Sequence, residues 1–348
     1  MILGKTMFSP LGTLERYLEN GEGTNFKYLI TAISYESRGL SSVTEIVKKF
    51  SIEKIVLISL GTDYLDHTLE KEWHSQRSKL IHLFEEKRID YIEMSCHPVY
   101  FKDFFDRLSN ETVQYPNIIN ISTFPKNYIL RLAKEFDHEN NLFFYSKSHY
   151  REPLDHELKI SIDNIIPIEG FEGFREISSE DLLVLILGYE GHRALSFLSK
   201  FSPFKILPLI SIPELGDENE DQMFFKILLK CNWILLRKQS VIKDRNNEYF
   251  KISSLSHTKF YYELSEIINS FLQKDMDLCI SPLGTKPQAL GLYLYWRENK
   301  NTQLIYSIPV KRLDFTQTKI LQGSSEKELH PEVQNHIEHW IYRLPKKL

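Results

Sequence analysis

The chain has 348 residues, 42% of them hydrophobic, which is enough for two domains with a core each and excludes an intrinsically disordered chain. Its 43 Lys and Arg against 47 Asp and Glu leave a net charge of −4, so it has no global attraction for duplex nucleic acid or an anionic membrane, and any binding of a polyanion must be local. No window reaches the roughly 18 uncharged apolar residues of a membrane span, and Cys96, Cys231 and Cys279 form no CxxC pair, so the expectation is a cytoplasmic protein with reduced core thiols.

Residues 1–25 are Gly-rich and weakly patterned and read as an N-terminal arm with a short helix near Leu11 to Leu18. Alternation starts at Phe26. A strand over Phe26 to Ile33 is followed by Leu40, Val43, Ile46, Val47 and Phe50 at helical spacing and then by the apolar run Ile55 to Leu60, which is a βαβ unit. A helix over Leu65 to Arg88, a strand over Tyr91 to Met94, a helix over Tyr100 to Leu108, a strand from Ile118, a helix to about Phe136 and a strand over Leu142 to Tyr145 complete a first half, 26–150. Residues 151–179 read as a linker with one short extended piece at Ile165 to Ile168. A second half, 180–310, repeats the order: strands at Leu182 to Leu187, Ile206 to Ile212, near Ile234, at the run into Ile280 and at Gln303 to Ile308, with helices between. In the tail, 311–348, Val333, Ile337, Trp340 and Ile341 form one apolar face of a helix expected over Glu332 to Tyr342. The fold class is therefore α/β: two Rossmann-like parallel-sheet domains arising from an internal duplication, with a C-terminal helix.

The duplication is read from offsets. Tyr189-Glu190 follows Tyr35-Glu36 by 154 residues, Arg193 follows Arg38 by 155, Ser281 follows Ser122 by 159, Lys286 follows Lys126 by 160, and Tyr306 follows Tyr145 by 161. Spacing that drifts so slowly fits small insertions.

In an open parallel sheet, ligands bind beyond the carboxyl ends of strands near a switch in strand order. Two loops per half qualify. One carries Tyr35, Glu36 and Arg38, matched by Tyr189, Glu190 and Arg193; the other runs from Ser122 to Lys126, matched by Ser281, Gly284, Thr285 and Lys286. Strand, Gly-bearing polar loop and a helix entered through Pro287 place N–H groups, a hydroxyl and an ammonium around one helix N-terminus, an anion-binding arrangement. Lys286 stands where the macrodipole disfavours a cation, which points to an anionic partner. The plainer alternatives are that Glu36 with Arg38 and Glu190 with Arg193 are ion pairs closing strand-to-helix turns, that the lysines are solvated, and that the tyrosines pack. No metal-ligand spacing, GxGxxG, P-loop or GxSxG elbow occurs, so neither a metal nor a conventional cofactor is expected.

Asn120-Ile121-Ser122-Thr123-Phe124-Pro125-Lys126 fits the [DN]-x-[ST]-x-x-x-[RK] pattern that follows the fourth strand of CARF domains, the CRISPR-associated Rossmann fold, and Ser281 to Lys286 resembles the Gly-Thr-Lys variant of that loop. The resemblance implies a cyclic-oligonucleotide second messenger bound between the two halves, as in a pseudo-dimer, in a prokaryotic defence system. No catalytic residue is assigned, and since the arm, linker and tail are too small for an effector domain, an effector would be a separate protein. A ring-nuclease-like enzyme, with Lys126, Lys286, Ser122 and Ser281 positioning a ribose hydroxyl for in-line attack, and a non-catalytic scaffold are the alternatives.

Overall fold

The computed structural model describes residues 12–62, 65, 67–97, 101–147, 162–173, 181–200, 205–212, 218–244, 246, 248–273, 276–309 and 338–346. In chain order the first elements are β1 (Gly12–Thr13), α1 (Leu14–Glu19), β2 (Asn25–Ala32), α2 (Ser37–Lys49), β3 (Ser51–Ser59), α3 (His67–Lys87), β4 (Asp90–Ser95), α4 (Lys102–Thr112), β5 (Asn117–Asn120), α5 (Lys126–Glu135) and β6 (Leu142–Ser146). They are followed by β7 (Ile162–Pro167), β8 (Leu182–Leu187), α6 (Gly191–Lys200), β9 (Lys205–Ile212), α7 (Glu218–Cys231), α8 (Trp233–Leu236), β10 (Phe250–Ser253), α9 (His257–Phe271), β11 (Leu278–Pro282), α10 (Lys286–Glu298), β12 (Gln303–Pro309) and β13 (His339–Tyr342).

The strands form a seven-stranded sheet, β1-β13-β6-β5-β2-β3-β4, and a six-stranded sheet, β10-β9-β8-β11-β12-β7. β2 pairs in parallel with β3 and β5, β3 with β4, and β5 with β6. β8 pairs in parallel with β9 and β11, β9 with β10, and β11 with β12. Taken in sequence order, the five parallel strands of each sheet lie fifth, fourth, first, second, third. Each fifth strand is then flanked by one antiparallel strand, β13 on β6 and β7 on β12. The order reverses beside β2 and beside β8, so the loops leaving β2 and β5, and those leaving β8 and β11, flank the two switch points.

Local sequence accounts for these elements. β8 is buried along its whole length, and its continuous run LLVLIL is what a parallel strand covered on both faces requires. On α2, Gly39, Ser42, Val43 and Ile46 share the buried face, as their spacing dictates. α5 and α10 differ, because residues 127–133 and 287–296 are buried on every side. Described residues within Leu11–Phe124, Glu135–Arg151 and Arg312–Leu348 form one compact unit, and those within Pro125–Lys134 and Glu152–Lys311 the other. Leu29, Ile55, Leu57 and Phe144 are among the centre of the first core, and Leu183, Leu185, Ile206 and Ile305 of the second.

Three expectations need correction. The C-terminal helix fails at its end: His339–Tyr342 is β13, antiparallel to β6, while residues 332–337 lie outside the described ones. Trp340 and Ile341 fit a helical face only until β6 offers its free edge, a partner that no local pattern contains. Nor is there a strand near Ile234. Trp233–Leu236 is one helical turn whose Leu235 and Leu236 are buried side by side, without the alternation of a strand, and the third parallel strand of that sheet is β10. Finally, the extended piece of the linker is β7, a full member of the second sheet. No helix among the described residues is long and apolar enough to cross a membrane.

Candidate functional site

In the first unit the two loops interlock. Ser34 Oγ accepts the Glu36 N–H at 3.1 Å, and the Gly39 N–H closes onto Glu36 O at 2.9 Å, so the chain turns sharply from β2 into α2. Thr123 of the other loop donates its hydroxyl to Ala32 O at 3.3 Å, and a methyl on Gly39 would stand 3.2 Å from Thr123 Cγ2. Beneath lies Asn120, which donates to Thr31 Oγ1 at 3.0 Å and Ser42 Oγ at 2.8 Å and accepts the Ser122 N–H at 3.2 Å. Ser122 is fully buried and its Oγ accepts the Ser146 N–H at 2.9 Å. Arg38 turns back through Nε onto the Glu36 carboxylate, with side chains 10% and 16% exposed. Burial works against the Arg38 charge, but Glu36, followed by Tyr145, outweighs it and holds the guanidinium above its ordinary value. Tyr35 packs against the core.

The second unit uses the same places with other chemistry. A methyl on Gly188 would stand 2.5 Å from Leu283 O, so the loop after β8 runs directly against the loop after β11. Gly284 is hemmed in by Ile186 and Ser211 Oγ, which an added methyl would approach to 2.8 and 3.0 Å. Gln288 is the hub: its Oε1 accepts the Thr285 N–H at 2.7 Å, and its Nε2 donates to Ser253 O at 2.8 Å and Ser211 Oγ at 3.0 Å. Thr285 donates its hydroxyl to Ser254 O at 2.5 Å. Arg193 is buried and engaged at all three nitrogens: Nη1 on Glu190 Oε2 at 2.5 Å, Nε on Ser307 Oγ at 3.0 Å and Nη2 on Ser307 O at 2.5 Å. Its carbon Cζ lies 4.9 Å from the centre of the Tyr306 ring. Burial again opposes its charge, and Glu190 and then Tyr306 more than restore it. Tyr189 packs against the core, and Ser281 is fully buried.

Lys126 and Lys286 are the first residues of α5 and α10, each half-buried, so both loops deliver a lysine to the start of a helix. Lys126 groups with the second unit, apart from Ser122. The structure thus joins Glu36 to Arg38 and Glu190 to Arg193, seats the two loops of each half side by side, and withdraws both serine hydroxyls from solvent. Sequence reasoning missed Asn120's partners, Gln288, Ser146, Ser307 and His339. One signal was available for Ser146 and Ser307, which continue the Tyr145 to Tyr306 offset of 161 by one residue. Among the described residues no group of three or more His, Cys, Asp or Glu side chains is placed to hold a metal ion.

Fold and loops together define an α/β protein of two Rossmann-like sheets, each with a loop pair at its switch point. No family model and no curated protein matches the sequence. Among solved structures the chain is similar to a Type III CRISPR defence DNA nuclease activated by cyclic oligoadenylate, with a TM-score of 0.52 and 9% identity over 82% of this chain. The match spans 66%, just under two thirds, of the nuclease chain, and at that identity it is a likeness of fold. The cytoplasmic domain of a prokaryotic cation chloride cotransporter follows at a TM-score of 0.26 and 10% identity, covering 82% of this chain and 96% of that one. A ketoreductase domain from the bacillaene assembly line stands at 0.20 and 8%, covering 79% and 64%. Neither of the last two bears on the site.

Proposed function

We propose that the protein binds an anionic nucleotide second messenger of the cyclic-oligonucleotide kind at these loops and acts as a sensor in a prokaryotic defence system, passing the signal to a separate effector. The observation that carries this reading is the repeated loop pair: in both sheets the loops after the first and fourth parallel strands flank the switch point, and the second of them ends on a lysine at a helix start. N–H groups at a helix start together with a cation suit phosphate oxygens. The shared strand order fits an internal duplication, and a fold neighbour activated by cyclic oligoadenylate supports the choice of ligand class. Cleavage is less favoured than binding, since Ser122 and Ser281 are both fully buried and Ser122 Oγ is occupied by the Ser146 N–H.

The test is calorimetric titration of the intact protein with cyclic and linear oligoadenylates, with the mixtures followed by mass spectrometry. Binding without turnover is expected. Lys286→Ala removes a charge-assisted contact of roughly 1.5 to 3 kcal/mol and weakens binding about tenfold or more, whereas Lys49→Ala, on an exposed part of α2, leaves it unchanged. No binding by any member of the panel, or equal losses in both variants, overturns the reading.

A further inference from the structure

Arg38 and Arg193 occupy matching places after the first parallel strand of each sheet, yet their guanidinium groups are used differently. All three nitrogens of Arg193 are engaged, two of them by Ser307. Arg38 makes one hydrogen bond, from Nε to Glu36, and among the described residues its two terminal nitrogens have no hydrogen-bond acceptor. The side chain is nine-tenths buried. The remaining tenth of the side chain is open to solvent. A guanidinium largely out of water with four N–H donors unmatched is a costly group, and a ligand that meets them recovers that cost.

The difference has a visible cause one strand away. Ser146 in β6 is the counterpart of Ser307 in β12. The strand beside Ser307 is β7, where Ile165 is its partner in the register. An isoleucine side chain has no hydrogen-bonding group, so the Ser307 hydroxyl is left to Arg193. Beside Ser146 the strand is β13, and His339 is its partner in the register. The His339 Nδ1 lies 2.9 Å from Ser146 Oγ, and the Ser146 N–H is held by Ser122. The Ser146 hydroxyl is thus turned toward His339, and among the described residues it makes no hydrogen bond to Arg38, in contrast to Ser307 with Arg193.

We infer that Arg38 is the oxyanion receptor of this protein, that His339 is the positioning residue that keeps it available by occupying Ser146, and that Arg193 is its locked, structural counterpart. The two halves are therefore unequal. The class of ligand group follows from geometry: two terminal nitrogens of one planar guanidinium match two oxygens of a phosphate or phosphodiester, a fork that lysine cannot reproduce. α2 adds a helix start whose first turn has no acidic side chain, its N-cap carboxylate, Glu36, being paired with Arg38. The inference rests on the proposed function only for the nucleotide identity of the ligand; the anion itself needs Arg38 alone.

The experiment is calorimetric titration of the intact protein at low salt with inorganic pyrophosphate and, separately, with a cyclic oligoadenylate. One pyrophosphate per chain is expected. Arg38→Lys keeps the ion pair with Glu36 but loses the fork, and should weaken pyrophosphate about tenfold at an unchanged circular-dichroism spectrum. His339→Ile copies the arrangement of the second sheet, frees Ser146 for Arg38 and should weaken pyrophosphate by a similar factor, which a merely structural histidine would not do. Arg193→Lys should lower the melting temperature and leave affinity within about twofold. If His339→Ile does not fold, Arg38→Lys decides alone. Absence of pyrophosphate binding in the unaltered protein, unchanged affinity in Arg38→Lys, or an equal loss in Arg193→Lys overturns the inference. Pyrophosphate binding that depends on Arg38, with no cyclic nucleotide bound, upholds it and removes the proposed function. A cyclic oligoadenylate bound equally by the unaltered protein and by Arg38→Lys does the reverse.

Discussion

At the scale of single residues, Asn120 shows how much of a loop rests on one buried amide. Its replacement by Ala would strand the Thr31 hydroxyl and the Ser122 N–H and leave the Ser42 hydroxyl with only its bond to Gly39 O, all without exposed surface. Each buried group left unmatched costs about 1 to 3 kcal/mol, with partial rescue by rearrangement, so Asn120→Ala should lose about 2 to 4 kcal/mol in urea unfolding. A loss under about 0.5 kcal/mol would mean that the network does not hold the loop. Cys279 stands at the matching place in β11 and plays no such part. Burial first, then Asp181, pushes its thiol well above the ordinary range, so it stays protonated and should resist alkylation at pH 8 in the folded protein, reacting only on unfolding. Fast alkylation of Cys279 under native conditions would contradict that. The ends of β5 and β11 were legible in the sequence, because an apolar run gives way to a polar loop and then to Pro125 or Pro287. Asn120's partners were not, since they lie 89 and 78 positions away. Gln288 escaped notice for a related reason: it sits inside an apolar helix and is explained only by Ser211 and Ser253 arriving from other strands.

Among the elements, β13 is the one whose loss should matter most per residue. It lies between β1 and β6, with Ile341 and Tyr342 buried, and is tied at its start by Lys147 to Glu338 at 2.9 Å and by His339 to Ser146. Ile341→Ala should destabilise the protein by about 2 to 5 kcal/mol. The strand also carries a pH dependence. Burial lowers the His339 pKa below its usual 6.5, with Glu45 and Glu15 pulling the other way. The unfolded chain then binds the proton more readily than the fold, so this contribution is complete above about pH 6.5 and is lost as the pH falls from there through the folded value. The melting temperature should drop between pH 7.5 and 5.5, and His339→Gln should reduce that drop; an unchanged drop assigns the effect to other groups. β13 cannot be recognised from its own residues, and β7 shows in the sequence only as a short extended piece, with nothing to assign it to a sheet. A short strand added to a sheet edge is stabilised by the backbone groups of its neighbour, and β10 likewise has four residues and owes its place to β9. The five strands of the first half and four of the second were readable from their own apolar runs and the helices between them, whereas the third strand of the second half was misplaced near Ile234.

Across the whole molecule, the last strands cross over. β7 follows β6 in the chain but completes the sheet of β12, and β13 follows β12 but completes the sheet of β6. Each sheet therefore owes its antiparallel strand to the segment that comes after the other sheet's parallel strands, and α5, which leaves β5 of the first sheet, groups with the unit of the second. Each unit is assembled from separated pieces of the chain, so neither can form completely from one continuous half. Cooperativity should follow from that connectivity. Losing β13 uncovers the edge of β6, and losing β7 uncovers that of β12, so damage at either place reaches residues far along the sequence. Scanning calorimetry of the intact protein should show one transition, with the calorimetric enthalpy close to the van't Hoff value. Ile341→Ala should shift that transition as a whole. In hydrogen exchange, the amides of β11 and β12 should then lose protection together with those of β5 and β6, even though the altered residue belongs to the seven-stranded sheet. Two resolved transitions, with Ile341→Ala moving one and leaving the other in place, would show that the exchanged strands join two independently folding units.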